Sequence, residues 1–431
     1  MGFRVKAQRE IEWTRLDNAS KIFPSTYSDR DPKVFRFACE LKQEVYPEIL
    51  QEALDLTVEH FPLYSSVLRR GMFWYYLESS DICPLVEEES HPLCAPIYLG
   101  HKRNLLFRVF YYGRRINLEI FHVLTDGTGA LQFLQSLVKN YLFIKYKNEN
   151  TSLPTSLPSS AISRQMADSF DKYFSGGNPF AIKKKNIGKR KGNFNHVYHI
   201  RGARFPENKT RLIEGVMSAR AVLAQAHNHH TTLTRFIAAL LVYSIYKEMP
   251  TRKLKRPVVL SVPINLRQFF LSETTRNFFS TINVSYNFQA GPIDFMAVLK
   301  AIGEDFEKEL TQEQLNYKLN RFMHLAQNPF IRVMPLQLKN FLLRIGSRFA
   351  DARISSGISN IGQIVMPEAF ASHIRQFSVC TKARGIRVTL CSFGDKLVLS
   401  FTSPFRETDI QRNFFNMLTE MGVDIEISAN L

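Results

Sequence analysis

The sequence predicts a mixed α/β fold built as two halves of similar make-up, and three observations carry that reading. First, residues Ile116 to His122 alternate with period two, whereas after Gly129 the apolar residues recur at three- and four-residue steps. The first pattern belongs to a strand and the second to one face of a helix. Second, strand-like and helix-like stretches are interspersed about equally along both halves. Third, the character changes over residues 149–195. Thr151 to Ser160 is rich in Ser, Thr and Pro, Gly176-Gly177-Asn178-Pro179 is turn chemistry, and six of the nine residues from Lys183 to Lys191 are basic. The expected organisation is an N-terminal subdomain over 1–175, a basic linker over 176–195 and a C-terminal subdomain over 196–431.

In chain order, Trp13 to Arg30 has weak periodicity and ends in a Pro/Ser/Asp-rich loop. Val34 to Cys39 reads as a strand. Pro47 opens a helix, whose face is Ile49, Leu50, Ala53, Leu54 and Val58. Phe73 to Leu77 reads as a strand, and Leu105 to Tyr112 pairs with Ile116 to His122 through a short Gly113-Arg114-Arg115 turn. In the second half, His196 to Phe205 is strand-like and Arg211 to Ala226 is expected as a helix. Thr231 or Thr232 is placed to cap the next helix, which carries Phe236, Leu240 and Ile245. Val258 to Ile264 and Ile282 to Phe288 read as strands, Phe295 to Leu310 and Leu336 to Phe349 as helices. Strands near 361–365, 377–380, 386–390 and 397–401 precede a last helix over 410–421.

The totals narrow the function. Lys and Arg exceed Asp and Glu by 56 to 39, a formal charge of +17, so anionic partners are favoured. The basic run 183–191 reads as a solvated loop or as a docking surface for phosphate or acidic lipid, which leaves room for peripheral membrane contact. It lacks interleaved base-stacking aromatics, and nucleic acid is not expected. Five cysteines without a CxxC pair argue against a disulfide framework or a cysteine-rich zinc site. His227, His229 and His230 lack matching ligand spacing and read as loop residues, so no metal is expected. No P-loop or G-x-G-x-x-G pattern points to a bound nucleotide. No stretch reaches the roughly 18 apolar residues of a membrane span. A soluble cytoplasmic protein is the simplest expectation.

The stretch richest in chemistry is His122-Val123-Leu124-Thr125-Asp126-Gly127. A histidine at a strand end precedes an aspartate in a glycine-bearing turn that opens a helix. On the residues alone His122 reads as a satisfied core histidine or a base, and Asp126 as a helix cap. Arg267 reads as a charge following a strand, and Ser359-Asn360 as a turn.

H-x-x-x-D-G at such a turn resembles the signature of the acyltransferase superfamily of chloramphenicol acetyltransferase, the plant BAHD acyltransferases, condensation domains and wax ester synthases. Val262-Pro263-Ile264-Asn265-Leu266-Arg267 with Arg276-Asn277-Phe278-Phe279-Ser280 is similar to its second-half strand and aromatic continuation. Ser359-Asn360-Ile361-Gly362 resembles the "SN-G" segment of wax-ester-synthase-like members. Arg15-Leu16-Asp17-Asn18-Ala19 with Lys21-Ile22-Phe23-Pro24 resembles bacterial alcohol acetyltransferase-like proteins. Phe121 stands where condensation-type members often carry another histidine.

The resemblance implies two chloramphenicol-acetyltransferase-like subdomains with a substrate tunnel between them, and a late strand near 386–401 crossing to the junction. It implies His122 as general base for an alcohol or amine acceptor attacking a coenzyme A thioester. Acyl-CoA is then a co-substrate, and no tightly bound cofactor is needed. Asp126 becomes a brace paired with Arg267, and Gly127 allows close chain approach or a positive φ. Ser359 and Asn360 become candidates for lining the tunnel or polarising the carbonyl. Two other readings share the fold: a condensation-type enzyme fed by an acyl carrier protein, and a binding protein without catalysis.

Overall fold

The computed structural model describes residues 12–100, 102–146, 167–174 and 197–430. The expected linker 176–195, with its basic run 183–191, lies outside the described residues.

Two sheets dominate. The first has five strands in the order Ile374–Thr381, Val34–Leu41, Arg115–Phe121, Phe107–Tyr112 and Val86–Glu88. Phe107–Tyr112 and Arg115–Phe121 form the expected hairpin, Tyr112 opposite Arg115, with Gly113 at a φ of +51° in the turn. The Pro47–His60 and Gly127–Lys145 helices pack together beside this sheet. Arg115–Phe121 is buried on both faces, so its alternation separates two interiors rather than core from water. The polar face survives burial because Glu119 is fully paired. Its Oε1 lies 2.7 Å from Arg36 Nη2 and its Oε2 accepts from Arg108 Nη2 at 2.8 Å. The backbone N–H of Cys94 donates to Oε1 at 2.7 Å.

The second sheet has seven strands, in the order Phe279–Tyr286, Val258–Asn265, Ser356–Ile364, Arg387–Phe393, Lys396–Ser403, Arg211–Ser218 and Ile425–Ala429. Helices Leu233–Lys247, Phe295–Glu309 and Asp409–Glu420 bury their apolar residues in the core over it. A small third sheet joins Trp13–Arg15, Tyr75–Ser79 and Ser66–Arg70. No helix among the described residues is long and apolar enough to cross a membrane.

Four expectations change. Residues 386–401, expected to cross to the junction, lie in a hairpin of the seven-stranded sheet and meet the junction through Thr389 Oγ1, which donates to the carbonyl of Val379, without pairing into the five-stranded sheet. The strand that crosses is the preceding one, Ile374–Thr381, antiparallel to Val34–Leu41. Arg211–Ser218 is a strand, not the start of a helix, because strands on both sides satisfy its backbone. The helix begins only at Ala219, where Ser218 Oγ accepts from Ala221 N at 3.2 Å. Residues 197–205 form no strand. Their extended backbone donates to the carbonyls of Pro257 and Pro404, and proline has no N–H to return the bond. A helix at Gln312–Gln327 was not anticipated, although Leu315, Leu319 and Met323 mark its buried face.

A third core cluster joins the two halves. Ala19 and Phe170 from the first half pack with Leu266, Phe278, Leu319 and Met323 from the second. The candidate site lies beside it.

Candidate active site

Asp126 ends the turn after Arg115–Phe121 and caps the Gly127–Lys145 helix. Its Oδ1 accepts from the backbone N–H groups of Thr128 and Gly129 at 3.1 and 3.2 Å. Its Oδ2 accepts from Arg267 Nη1 and from the N–H of Phe278, both at 2.8 Å. With four donors on a buried carboxylate, no lone pair is left over for substrate work.

Arg267 spends its guanidinium on the same corner. Nε donates to the carbonyl of Thr274 at 3.0 Å and Nη2 to that of Arg276 at 2.5 Å. Nη1 also reaches Asn265 Oδ1 at 3.1 Å. Thr125 Oγ1 donates to the carbonyl of Thr275. Residues 274–278 are thus clamped onto the turn that follows His122. Between Arg276 and Phe278, both held by this clamp, stands Asn277.

Asn277 sets the histidine. Its Nδ2 faces three acceptors: Ser20 Oγ at 2.8 Å, the carbonyl of His122 at 3.1 Å and Asp17 Oδ2 at 3.3 Å. A flipped amide would aim its oxygen at a carboxylate and a carbonyl, so Oδ1 must face His122 Nδ1, 3.0 Å away. Nδ1 therefore carries the hydrogen and Nε2 the lone pair. Nε2 has no hydrogen-bond partner among the described residues. The backbone N–H of His122 donates to the carbonyl of Lys33 at 2.8 Å, which fixes the ring's base.

Aromatic rings enclose the imidazole. Phe23 stacks on it at 4.5 Å, Phe35 meets it edge-on at 4.9 Å and Phe279 is tilted at 5.5 Å. The ring is densely surrounded, though the residue keeps some solvent access. Burial pushes the His122 pKa below its ordinary value, outweighing the opposite pull of Asp126. The imidazole is neutral at pH 7.

Phe23 and Phe279 also line a cavity of 410 Å³, with Ile22, Leu266 and Lys318. It adjoins a 560 Å³ cavity, sharing Ile22 and Phe322. That one adjoins a third of 930 Å³, sharing Asn18, Lys21, Trp74 and Ala326. The set offers room for a long ligand beginning near the histidine.

The other expected residues divide. Gly127 has no positive φ, and the nearest atom to an added Cβ would be the end of the Ile361 side chain, Cδ1 at 3.1 Å, with no backbone in close approach. Ser359 and Asn360 stand on the Ser356–Ile364 strand rather than in a turn. Asn360 Nδ2 donates to Thr234 Oγ1 at 2.9 Å and its Oδ1 accepts from Gly362 N at 2.8 Å. Neither Ser359 nor Asn360 hydrogen-bonds to His122, and Ile361 is the part of that segment that reaches the His122–Gly127 turn. His229 stacks on Phe236 at 5.8 Å. Sequence reasoning gave no role to Asn277, Ser20 or Asp17, although Asn277 and Asp17 fall inside segments it singled out.

No family profile and no curated protein matches the sequence. Solved structures do match. The starter condensation domain of rhizomide synthetase RzmA, in complex with C8-CoA, superposes with a TM-score of 0.62 at 11% identity, covering 95% of this chain and 94% of that one. TRI101 of F. sporotrichioides, complexed with coenzyme A and T-2, gives 0.61 at 12% identity, over 96% and 99%. Trichothecene 15-O-acetyltransferase TRI3 from Fusarium sporotrichioides gives 0.60 at 10% identity, over 97% and 96%. The chain has the condensation-domain and acetyltransferase fold.

Proposed function

We propose that this chain is an acyltransferase that moves an acyl group from a coenzyme A thioester to an alcohol or amine acceptor, with His122 as general base. One observation carries the reading: Asn277 holds His122 with Nδ1 protonated and Nε2 free, beside an aromatic-lined cavity. Nε2 accepts the acceptor's proton as its oxygen or nitrogen attacks the thioester carbonyl. The tetrahedral adduct collapses, the carbon–sulfur bond breaks, and the imidazolium returns the proton to the departing sulfur. A positioned base contributes on the order of 10²–10⁴-fold. Holding both substrates in line supplies much of the remainder. Asp126 and Arg267 are positioning residues that act through residues 274–278. The coenzyme A ligands of two fold neighbours support a thioester donor of that kind.

The test is free-thiol release from a panel of acyl-CoA thioesters with candidate alcohols and amines. Wild type is expected to release thiol only when an acceptor is present, and His122→Ala to release almost none. Equal release by the two proteins overturns the assignment of the base. Turnover with acyl carrier protein but not with acyl-CoA would replace the donor and keep the base. Binding of acyl-CoA without turnover of any acceptor would leave a binding protein.

A further inference from the structure

The Leu336–Asp351 helix is inside out. Surface helices ordinarily turn their apolar face to the core. Here Leu336 enters the core, but polar side chains hold much of the rest of the inner face. Lys339 Nζ donates to the carbonyl of Phe73 at 2.8 Å, and Arg344 Nε to that of Ser25 at 2.8 Å. Asn340 Nδ2 donates to the Tyr75 hydroxyl at 3.0 Å, and its Oδ1 accepts from Ser25 Oγ at 2.6 Å. The outer face carries Leu338, Phe341, Leu342, Ile345 and Phe349, which recur at helical spacing. The neighbouring Pro329–Val333 helix extends the exposed surface with Phe330 and Val333. Phe330 is 82% exposed, Phe349 66% and Phe341 59%. Monomeric proteins rarely leave a cluster of large apolar side chains this exposed on one helix face.

Two further features say what covers it. Residues 314–367 contain seven Lys and Arg but a single acidic residue, Asp351. Arg332, Arg348 and Arg353 are exposed around the apolar stripe. An anionic surface therefore complements it. Beneath the stripe lies the 560 Å³ cavity, lined by Phe322, Ile331, Met334 and Leu343, with the exposed Leu325 and Leu342 among its lining residues. An apolar cavity that starts under an apolar, cation-rimmed face suits lipid chains better than a folded protein partner.

We propose that the Pro329–Val333 and Leu336–Asp351 helices dock this protein on an anionic lipid surface, their aromatic residues in the acyl-chain boundary and their arginines among the headgroups. The docking stands independently of the acyl-transfer reading. The test is co-sedimentation of the full chain with vesicles of phosphatidylcholine, alone or mixed with phosphatidylglycerol. Wild type is expected to sediment with the mixed vesicles, less so as salt is raised, and to stay in solution with phosphatidylcholine alone. Phe341→Glu with Phe349→Glu is expected to weaken partitioning by roughly tenfold or more, because apolar insertion is lost. Arg348→Glu with Arg353→Glu is expected to abolish the preference for the anionic lipid. All four positions are exposed, so unchanged thermal melting of both variants is expected. Absence of wild-type binding, or equal binding by the Phe double variant, overturns the proposal. So does lipid-free dimerisation that the Phe double variant abolishes, since the stripe would then be a surface for a second copy.

Discussion

Arg267 Nη1 donates to Asp126 Oδ2 at 2.8 Å across 141 positions of sequence, and both side chains are buried. The pair links the strand-to-helix turn of one half to the strand end of the other. Removing one partner leaves an unpaired charge in the interior, which costs about 3–5 kcal/mol. Arg267→Ala and Asp126→Ala are each expected to lower the unfolding free energy measured in urea by that order. The double variant should lose much less than their sum, because neither charge is then stranded. Additive losses would mean that the two residues do not interact. Arg267→Lys should also destabilise: one ammonium cannot replace three differently aimed guanidinium nitrogens.

Asn277 acts on the histidine rather than on substrate. Asn277→Ala removes the acceptor that keeps the hydrogen on Nδ1, so the ring divides between tautomers and loses its fixed orientation. The expected result is a kcat at least about tenfold lower with little change in KM. A merely structural role would instead change stability and leave the kcat of the folded fraction intact. Nitrogen-detected NMR of the ring reads the tautomer directly and is expected to show the Nδ1-protonated form alone in wild type and a mixture of tautomers in Asn277→Ala.

This pairing shows how far the sequence was legible. H-x-x-x-D-G and Arg267 sit in motifs with chemistry in them, and the geometry brings Asp126 and Arg267 together. Asn277 was legible only as one polar residue in the aromatic-rich Arg276–Ser280 segment, since its role depends on a fold that sets residues 155 positions apart in contact. Asp17 and Ser20 were hidden for the same reason. Local periodicity placed the strands that lie in sheet centres. It failed at Arg211–Ser218, whose apolar residues also fit a helix and whose strand state is decided by pairing with Lys396–Ser403 and Ile425–Ala429. The resemblance gave the crossing strand to 386–401, and periodicity could not correct it, because alternation reports that a segment is a strand, not which sheet it joins.

The pH dependence follows from burial of His122. Its pKa is lowered in the folded protein, principally by desolvation. The base is therefore expected to stay active below the ordinary histidine value, with the acid limb of kcat/KM centred under about 6.5. Stability moves the other way. As pH falls below about 6.5 the unfolded chain takes up a proton that the folded chain refuses, so folding stability declines. The decline stops once pH passes the folded pKa, where both states are protonated. His122→Phe is expected to remove this contribution, losing less stability than wild type between about pH 7.5 and 5 in urea titrations. An identical pH dependence in the two proteins would show that the folded state does not depress this pKa.

The two glycines of the helix start should answer differently to one methyl group. At Gly129 an added Cβ would overlap the carbonyl oxygen of Thr275 and Thr125 Oγ1. Those atoms are hydrogen-bonded to each other and belong to the clamp that sets Asn277, so neither moves freely. At Gly127 the nearest atom is the far end of the Ile361 side chain, 3.1 Å from the added carbon, and an isoleucine terminus rotates at little cost. Overpacking costs typically about 1–3 kcal/mol where the surroundings are rigid. Gly129→Ala is therefore expected to lower the melting temperature clearly and to depress kcat, as residues 274–278 are pushed off the turn. Gly127→Ala is expected to fold close to wild type, helped by alanine's helix preference in the first turn. Comparable losses at both positions would refute the distinction between backbone and side-chain obstruction.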